Sequence, residues 1–136
     1  MVKEPRPGKV KTRLGNDIGM VNAAWWYRHQ SLSILRSVIH PKWNTVIAVT
    51  PDIDGRRSRV WPREFKRISQ GMSDLGERML KILDSFHFGP ICIIGSDIPD
   101  VSSKNIERAF KLLMNKDFVL GPTLDGGFWL FGARKT

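Results

Sequence analysis

The amino-terminal part of the chain carries a basic loop with the residue types that bind phosphate. Lys11, Thr12 and Arg13 place two cations and a hydroxyl within one turn, and Gly8 permits close approach of the backbone. A point charge, a forked donor and backbone N–H groups together suit a phosphate. Val10 stands where a Walker loop requires glycine before its lysine, so that motif is excluded. A phosphate site and a plain solvated arm both remain open for this segment.

A second candidate is Asp97, which follows the apolar run Pro90–Gly95. A carboxylate at the carboxyl end of a strand can hold a hard divalent cation. Mg²⁺ takes one or two protein carboxylates together with phosphate oxygens and water. The alternative is that Asp97, or Asp100 after it, only opens a turn.

The third candidate is Asp125, which precedes Gly126 and Gly127 between two apolar runs. Asp-Gly-Gly in this context is typical of a tight hairpin turn. The preceding Gly121-Pro122 pair predicts a longer and stiffer loop than a hairpin needs. The two glycines after the aspartate also leave room for a sugar or a phosphate.

A fourth segment runs from Gln70 to Met79. Asp74 followed by Glu77 is typical of a helix capping box. A capping box does not account for Gly76 in the first turn, where glycine costs roughly 1 kcal/mol relative to alanine. Close approach of a ligand to the amino end of the helix would account for it.

Apolar spacing predicts the elements that position these loops. The predicted helices are Met20–Ile39, Asp74–Phe86 and one capped by Ser102 or Ser103; the predicted strands are Thr45–Thr50, Pro90–Gly95, Phe118–Leu120 and Phe128–Phe131; Asp52–Arg59 is predicted to be a loop. Helices that alternate with continuous apolar strands predict an α/β fold with a mainly parallel sheet covered on both faces. In such sheets ligands bind at the carboxyl ends of the strands.

The bulk properties predict one soluble domain over residues 1–136. Its apolar runs are far shorter than the roughly 20 residues that span a bilayer, and no export signal opens the chain. The single cysteine, Cys92, lies in an apolar run and is interpreted as a core residue. One thiol cannot form an internal disulfide, so a cytoplasmic location is expected.

The chain carries 22 Lys and Arg residues against 13 Asp and Glu residues, a net charge of +9. Such a surplus indicates an anionic partner or a generally basic surface. The basic stretch from Arg56 to Arg67 is interpreted as solvated loop. A nucleic-acid-binding domain is the alternative from another class, and it requires exposed aromatic residues among the cations. Trp25 and Trp26 instead fall in a predicted apolar helical stripe with Val21 and Leu32, which argues against it.

Four segments in order, PRPGKVKTRL, QGMSDLGERM, IGSDIPD and GPTLDGGFWL, give the sequence a specific resemblance. It resembles a family of glycosyltransferase-A-fold proteins that includes arsenosugar-biosynthesis glycosyltransferases, and more distantly molybdenum-cofactor and phospholactate guanylyltransferases. The resemblance covers nearly the whole chain. It implies a Rossmann-like nucleotide-diphospho-sugar transferase fold.

The resemblance also implies roles for particular residues. Asp97 matches a metal-binding aspartate for Mg²⁺ or Mn²⁺, and Asp125 matches a position that lines the reaction centre. The matched binding positions lie in the basic loop, in the segment near the base and ribose, and in the Asp-Gly-Gly turn: Gly8, Lys11, Thr12, Arg13, Gln70, Asp74, Gly76, Arg78, Gly126 and Gly127.

The sequence departs from the family pattern in three places. Ser73 stands where glycine is expected, the opening strand is reduced to Val2 and Lys3, and the chain stops soon after the apolar run that ends at Gly132. Unpaired strand edges at these ends predict exposed apolar surface and self-association or marginal stability.

We therefore expect a metal-dependent glycosyltransferase that uses a nucleoside-diphosphate sugar. Lys11 is expected to stabilise charge on the leaving group, and Asp125 to orient or deprotonate the acceptor hydroxyl. Nucleotidyl transfer to a phosphorylated acceptor fits the basic loop equally well. A folded but inactive remnant is a third possibility. The expected partner is a nucleotide or nucleotide sugar, with no membrane.

Overall fold

The computed structural model describes residues 1–87, 89–98 and 100–135. The strands are β1 (Val2–Lys3), β2 (Val46–Thr50), β3 (Lys66–Ser69), β4 (Gly89–Ile94), β5 (Phe118–Pro122) and β6 (Phe128–Lys135). The helices are α1 (Thr12–Ile18), α2 (Met20–Val38), α3 (Asp52–Arg57), α4 (Leu75–Asp84) and α5 (Ser103–Leu113). None of these helices is long and apolar enough to cross a bilayer in the described part of the chain.

The strands form a parallel group and an antiparallel group. β1, β2 and β3 pair in that order and run parallel, while β4, β6 and β5 pair in that order and run antiparallel. The Met1 amino group donates a hydrogen bond of 2.8 Å to the Ile94 carbonyl and so links the two groups. The predicted α/β fold is confirmed. Three of the six described strands form a separate antiparallel sheet, in which β5 and β6 are the hairpin that Asp-Gly-Gly predicts.

Helices cover both faces of the sheet, as the continuous apolar strands predicted. On β2, Ile47 and Val49 pack with the buried Trp61 and with side chains of α2. Ala48 points to the opposite face and packs against Met79 and Ile82 of α4. Each large apolar side chain buried in this way contributes about 1.5–3 kcal/mol. This two-sided burial fixes the strands whose carboxyl ends carry the candidate loops.

The periodic segments fold as predicted, with boundaries shifted by a few residues. α2, α4 and α5 lie in the three predicted helical segments, and the four predicted strands are all present. Ser102 is the N-cap of α5, where it forms a capping box with Asn105. Asp74 is the N-cap of α4, and its side chain accepts a hydrogen bond of 2.9 Å from the Glu77 backbone N–H.

Three short elements differ from the sequence expectations. The segment Asp52–Arg59, predicted to be a loop, forms α3 over its first six residues. The second half of the basic loop forms α1, which begins at Thr12. β3 was not predicted at all, because Lys66–Ser69 lacks a continuous apolar run. These elements are held by tertiary packing rather than by a strong local pattern.

The buried face of α2 lies about one residue before the apolar stripe that the sequence predicted. Its buried positions are Ala23, Ala24, Tyr27, Ser31, Ile34 and Val38. Trp25 is 62% exposed and Trp26 is 40% exposed, so both indoles face outward. The prediction followed the large aromatic residues, whereas the small residues beside them, Ala23 and Ala24, are the buried ones. The argument that Trp25 and Trp26 are buried therefore fails.

The basic stretch from Arg56 to Arg67 was interpreted as solvated loop, and this interpretation is wrong for Arg67. Its guanidinium donates to the carbonyl oxygens of Gly55, Arg56, Ser58 and Trp61 at 2.6–3.1 Å. The loop that joins α3 to β3 is thereby wrapped around one side chain. The other cations of the stretch are exposed, as expected: Arg56, Arg57, Arg59, Arg63 and Lys66.

Cys92 is a half-buried thiol on β4 that packs against the cluster formed by α2, α5 and β6. Burial raises its pKa to about 12. The thiolate is therefore scarce at neutral pH, and the interpretation of Cys92 as a core residue is consistent with its surroundings.

Burial of the amino terminus makes stability depend on pH. Burial lowers the pKa of the Met1 ammonium from 8.0 to about 6. The unfolded chain therefore binds more protons between about pH 6 and pH 8, and stability rises with pH across that window. We expect a gain of roughly 2–3 kcal/mol from below pH 6 to above pH 8. Denaturant melts of the chain and of its amino-terminally acetylated form measure it. A pH dependence that acetylation leaves unchanged would assign the effect to other groups.

Candidate functional site

The Lys11 ammonium and the Asp97 carboxylate meet in an ion pair of 2.5 Å. They are 86 residues apart in sequence, and each follows a strand at the carboxyl edge of the sheet. The side chain of Asp97 is 64% exposed, so one face of this carboxylate is open to a ligand. The two residues that sequence reasoning selected for phosphate and metal binding therefore lie in direct contact.

Lys11 is held in an unusual conformation by the start of α1. Among the described non-glycine residues it alone has a positive φ, at 50°. Its Nζ also lies 5.3 Å from the centre of the Trp26 ring, within the range of a cation–π contact. Left-handed non-glycine residues carry strain that concentrates at functional sites. The ion pair with Asp97 and the contact with the Trp26 ring hold the ammonium in place.

A hydrogen-bonded chain lies beneath the ion pair. The Lys3 backbone N–H donates to the Tyr27 hydroxyl at 2.8 Å, and that hydroxyl lies 2.9 Å from Ser96 Oγ. The end of β1, the buried face of α2 and the loop after β4 are thus joined directly next to Asp97. Sequence reasoning missed Trp26, Tyr27 and Ser96 as parts of the site. The adjacent aromatic residues of α2 and the serine before the aspartate were the available signals.

Asp125 lies in the turn between β5 and β6, at the same edge of the sheet as Asp97. The Gly95 backbone N–H donates to the Trp129 carbonyl at 3.3 Å, which places the turn beside the loop after β4. Hydrogen bonds from the Thr123 hydroxyl and from the Gly127 N–H lower the pKa of Asp125. The carboxylate is exposed and is stabilised in its ionised form. A lowered pKa weakens it as a general base and favours an orienting role.

Gln70 is buried and forms part of the sheet. Its Nε2 donates to the carbonyl oxygens of Val2 at 3.0 Å and Ala48 at 2.8 Å, and its backbone N–H donates to Val49 at 3.0 Å. This side chain therefore ties β1 to β2 from the end of β3. A contact between Gln70 and a nucleotide stays a prediction.

Residues 72–76, which lead into the amino end of α4, are exposed. The Gly71 N–H donates to Asp52 Oδ1 at 3.1 Å, and the Arg78 Nε donates to the Ser73 carbonyl at 2.7 Å. A Cβ added at Gly76 would meet only Asp74 Oδ1, at an ordinary 3.5 Å. Close packing within the fold therefore does not require glycine at position 76. Ligand contacts for Asp74, Gly76 and Arg78 stay predictions.

The remaining predicted binding residues are exposed. Gly8 has a positive φ of 78° in the turn before α1, and Thr12 and Arg13 begin that helix on its solvent side. Gly126 has a positive φ of 89°, which the turn after Asp125 requires of it. A Cβ at Gly127 would lie only 3.2 Å from Thr123 Oγ1, so this glycine keeps the turn compact.

The side chains near Asp97 suit a metal ion that binds together with a nucleotide. No group of three or more His, Cys, Asp or Glu side chains converges within residues 1–87, 89–98 and 100–135. Asp97 offers one exposed carboxylate, and Mg²⁺ is commonly held by one or two carboxylates together with substrate phosphates. The residues present therefore suit a cation bridged by a nucleotide rather than a resident ion held by protein alone.

Replacing Gly76 with alanine separates its structural role from its predicted binding role. Gly76→Ala should raise the melting temperature, because alanine in an exposed helix is favoured by roughly 1 kcal/mol. If a ligand approaches the amino end of α4 closely, the same variant should weaken nucleotide binding several-fold. Thermal melts with and without nucleotide measure both effects. A stabilised variant with unchanged affinity would remove Gly76 from the site.

Comparison with known proteins places the chain in a family. Residues 34–136 match the model of the family described as "Uncharacterized protein conserved in bacteria (DUF2064)". The chain belongs to this family. A comparison with curated proteins gives no match.

One solved structure resembles this DUF2064 member over almost its whole length. It comes from Desulfovibrio desulfuricans G20 and is described as a "putative nucleotide-diphospho-sugar transferase". The two sequences are 33% identical, the TM-score is 0.83, and the match covers 98% of this chain. The chain spans 60% of the length of that protein. The predicted nucleotide-diphospho-sugar transferase fold is therefore confirmed for the DUF2064 chain.

Proposed function

We propose that this DUF2064 chain binds a nucleoside-diphosphate sugar and transfers its glycosyl group to a hydroxyl acceptor. The observation that carries the proposal is the ion pair between Lys11 and Asp97 at the carboxyl edge of the sheet. A cation and a carboxylate in contact provide one group for phosphate and one for a metal ion. The structural likeness to a protein described as a nucleotide-diphospho-sugar transferase supports the same class of ligand.

Lys11 and Arg13 are assigned to the diphosphate. Lys11 is paired with Asp97, and a diphosphate with its cation would separate the two side chains. Lys11 would then donate to a phosphate oxygen, where its charge favours departure of the nucleoside diphosphate. The exposed guanidinium of Arg13 offers a second, forked donor from the first turn of α1.

Asp97 is assigned to a Mg²⁺ or Mn²⁺ ion that the nucleotide brings with it. Such an ion neutralises charge that develops on the leaving diphosphate. Asp125 is assigned to the acceptor, because it is ionised, exposed and located at the same sheet edge. Its carboxylate would accept a hydrogen bond from the attacking hydroxyl and orient it.

Nucleotidyl transfer is the first alternative, since the basic loop also suits a nucleoside triphosphate. The two reactions release different products. Glycosyl transfer releases a nucleoside diphosphate, whereas nucleotidyl transfer releases pyrophosphate. Product analysis after incubation with a panel of nucleotide sugars, or of nucleoside triphosphates with sugar phosphates, decides between them.

Nucleic-acid binding is a second alternative, because Trp25 and Trp26 are exposed and Trp26 lies close to the cationic Lys11. Exposed aromatic rings beside cations are typical of surfaces that bind single strands. A single-stranded oligonucleotide that binds more tightly than any mononucleotide, with a strong dependence on salt, would favour this alternative.

A thermal-shift screen of nucleoside diphosphates with and without Mn²⁺ tests the proposal. A ligand at a hundredfold its Kd stabilises the folded state by about 2.7 kcal/mol. We expect stabilisation by at least one nucleotide that is larger with Mn²⁺ than without it. Equal shifts with nucleotide and with inorganic sulfate, unaffected by Mn²⁺, would contradict the proposal.

A further inference from the structure

Tyr27 supports both halves of the candidate site from beneath. It lies on the buried face of α2 and is 7% exposed. Its ring packs in a small buried cluster with Val10, which directly precedes Lys11. Its hydroxyl lies 2.9 Å from the Oγ of Ser96, which directly precedes Asp97. One side chain therefore contacts the neighbours of both residues that form the ion pair.

The Tyr27 hydroxyl bonds to partners at the carboxyl ends of two different strands. A backbone N–H can only donate, so the Tyr27 oxygen accepts from Lys3, the last residue of β1. Its own proton is then free to be donated to Ser96, which lies two residues beyond β4. A tyrosine hydroxyl can make both bonds at once, whereas phenylalanine can make neither. The hydroxyl therefore ties the start of the basic loop to the loop that carries Asp97.

Packing alone holds the loop around Asp97 weakly. Gly95 and Asp97 are exposed, and a Cβ added at Gly95 would meet nothing within 4 Å. The hydrogen bond from the Gly95 N–H to the Trp129 carbonyl measures 3.3 Å, which is longer than usual. Ile98 anchors the loop beyond the aspartate, where it packs against the cluster that includes α5. The bond from the tyrosine hydroxyl to Ser96 supplies the anchor directly before the aspartate.

We propose that Tyr27 is a positioning residue that sets the place of the Asp97 carboxylate relative to Lys11. Its hydroxyl acts through Ser96, and its ring acts through Val10. A metal ion bridged to a diphosphate needs its carboxylate and the phosphate-binding cation at a fixed separation, because both bind the same ligand. Residues behind a metal ligand commonly orient it, and their loss lowers metal affinity. This inference rests on the proposed function, in which Asp97 holds the metal and Lys11 the diphosphate.

Tyr27→Phe separates the two parts of this role, since it keeps the ring beside Val10 and removes the hydroxyl bonds. The probe is GDP or UDP, whichever binds the unchanged chain more tightly, titrated with and without Mn²⁺. We expect the gain in affinity on adding Mn²⁺ to fall about 10-fold, the low end for residues behind a metal ligand. Affinity without Mn²⁺ should change little, because the basic loop stays in place. A loss that is equal with and without Mn²⁺ would overturn the proposal.

Ser96→Ala guards against a fold defect, because it breaks the bond to the loop and leaves the Lys3 N–H with its partner. It should lower the Mn²⁺ gain as far as Tyr27→Phe does, and the double variant should lose no more than either single variant. Ser37→Ala is the matched control, since the Ser37 hydroxyl also joins α2 to the segment after β4, but at the Val101 carbonyl, 3.1 Å away. Its Mn²⁺ gain should stay unchanged. Additive losses for Tyr27→Phe and Ser96→Ala would overturn the route through Ser96.

A measurement on the ligand-free chain separates failure of this inference from failure of the proposed function. The order parameter of the Asp97 amide should fall from about 0.85, the value of rigid backbone, toward about 0.6 in Tyr27→Phe and stay unchanged in Ser37→Ala. An unchanged order parameter together with an unchanged Mn²⁺ gain would overturn the inference and leave the proposed function standing. If neither nucleotide binds the unchanged chain, the proposed function fails, and an Asp97 amide that is equally rigid with and without the Tyr27 hydroxyl then overturns the positioning role as well.

Discussion

Asp97→Asn is expected to abolish Mn²⁺-dependent binding of a nucleoside diphosphate. The amide keeps the size of the side chain but loses the charge that a hard cation requires of its ligand. The fold should change little, because Asp97 is largely exposed and exposed ion pairs contribute about 0–1 kcal/mol. Calorimetric titration of nucleotide with and without Mn²⁺ measures the loss, and a thermal melt measures the stability.

Asp117→Asn is the matched control for this variant. It removes the exposed ion pair between Asp117 and Arg134, which measures 2.7 Å and precedes β5 at the opposite edge of the sheet. Mn²⁺-dependent binding should survive in this protein. If Asp97→Asn retains full Mn²⁺ dependence, Asp97 is not the metal ligand. If it unfolds while Asp117→Asn does not, the aspartate serves the local turn instead.

Arg67→Met is expected to give the largest loss of stability among the single substitutions considered. Methionine preserves much of the stem but leaves four carbonyl oxygens without the guanidinium that they share. Loss of hydrogen bonds to a charged group, together with partly buried unpaired acceptors, costs about 2–4 kcal/mol. The melting temperature should fall by on the order of 10 °C for a chain of this length.

Arg63→Met provides the control, because Arg63 belongs to the same basic stretch and is exposed. Its melting temperature should stay within a few degrees of that of the unchanged chain. Protease digestion adds a local measurement, since the loop from Gly55 to Trp61 should be cut faster in Arg67→Met alone. Equal stability of the two variants would show that Arg67 does not organise this loop.

The meeting of Lys11 and Asp97 could be anticipated from sequence because it follows from topology. Each residue comes after a strand, and the carboxyl ends of neighbouring parallel strands share one edge of a sheet. The buried strand at Val46–Thr50 was visible as a continuous apolar run, and the helix at Ser103–Leu113 as apolar residues three and four positions apart. The order of strands and helices, and the pattern of apolar residues within each, can both be read directly from a sequence.

Other contacts depend on three-dimensional partners that no local pattern encodes. Arg67 and Gln70 look like surface residues in sequence, yet each binds several carbonyl oxygens. Trp25 looks like a core residue, yet it is exposed, and the buried positions of α2 include the small residues Ala23 and Ala24. The expected self-association and the roles assigned to Asp125 and Gly76 stay predictions.

The central claim is that Asp97 and Lys11 separate to bind a cation and a diphosphate. An anomalous difference map from crystals soaked with Mn²⁺ and a nucleoside diphosphate tests it directly. We expect one Mn²⁺ peak within coordination distance of the Asp97 carboxylate, bridged to the diphosphate, with the Lys11 Nζ moved to a phosphate oxygen. Crystals soaked with Mn²⁺ alone should lack that peak. A bound nucleotide that leaves the pair of Lys11 and Asp97 intact, with Mn²⁺ elsewhere or absent, would contradict the account.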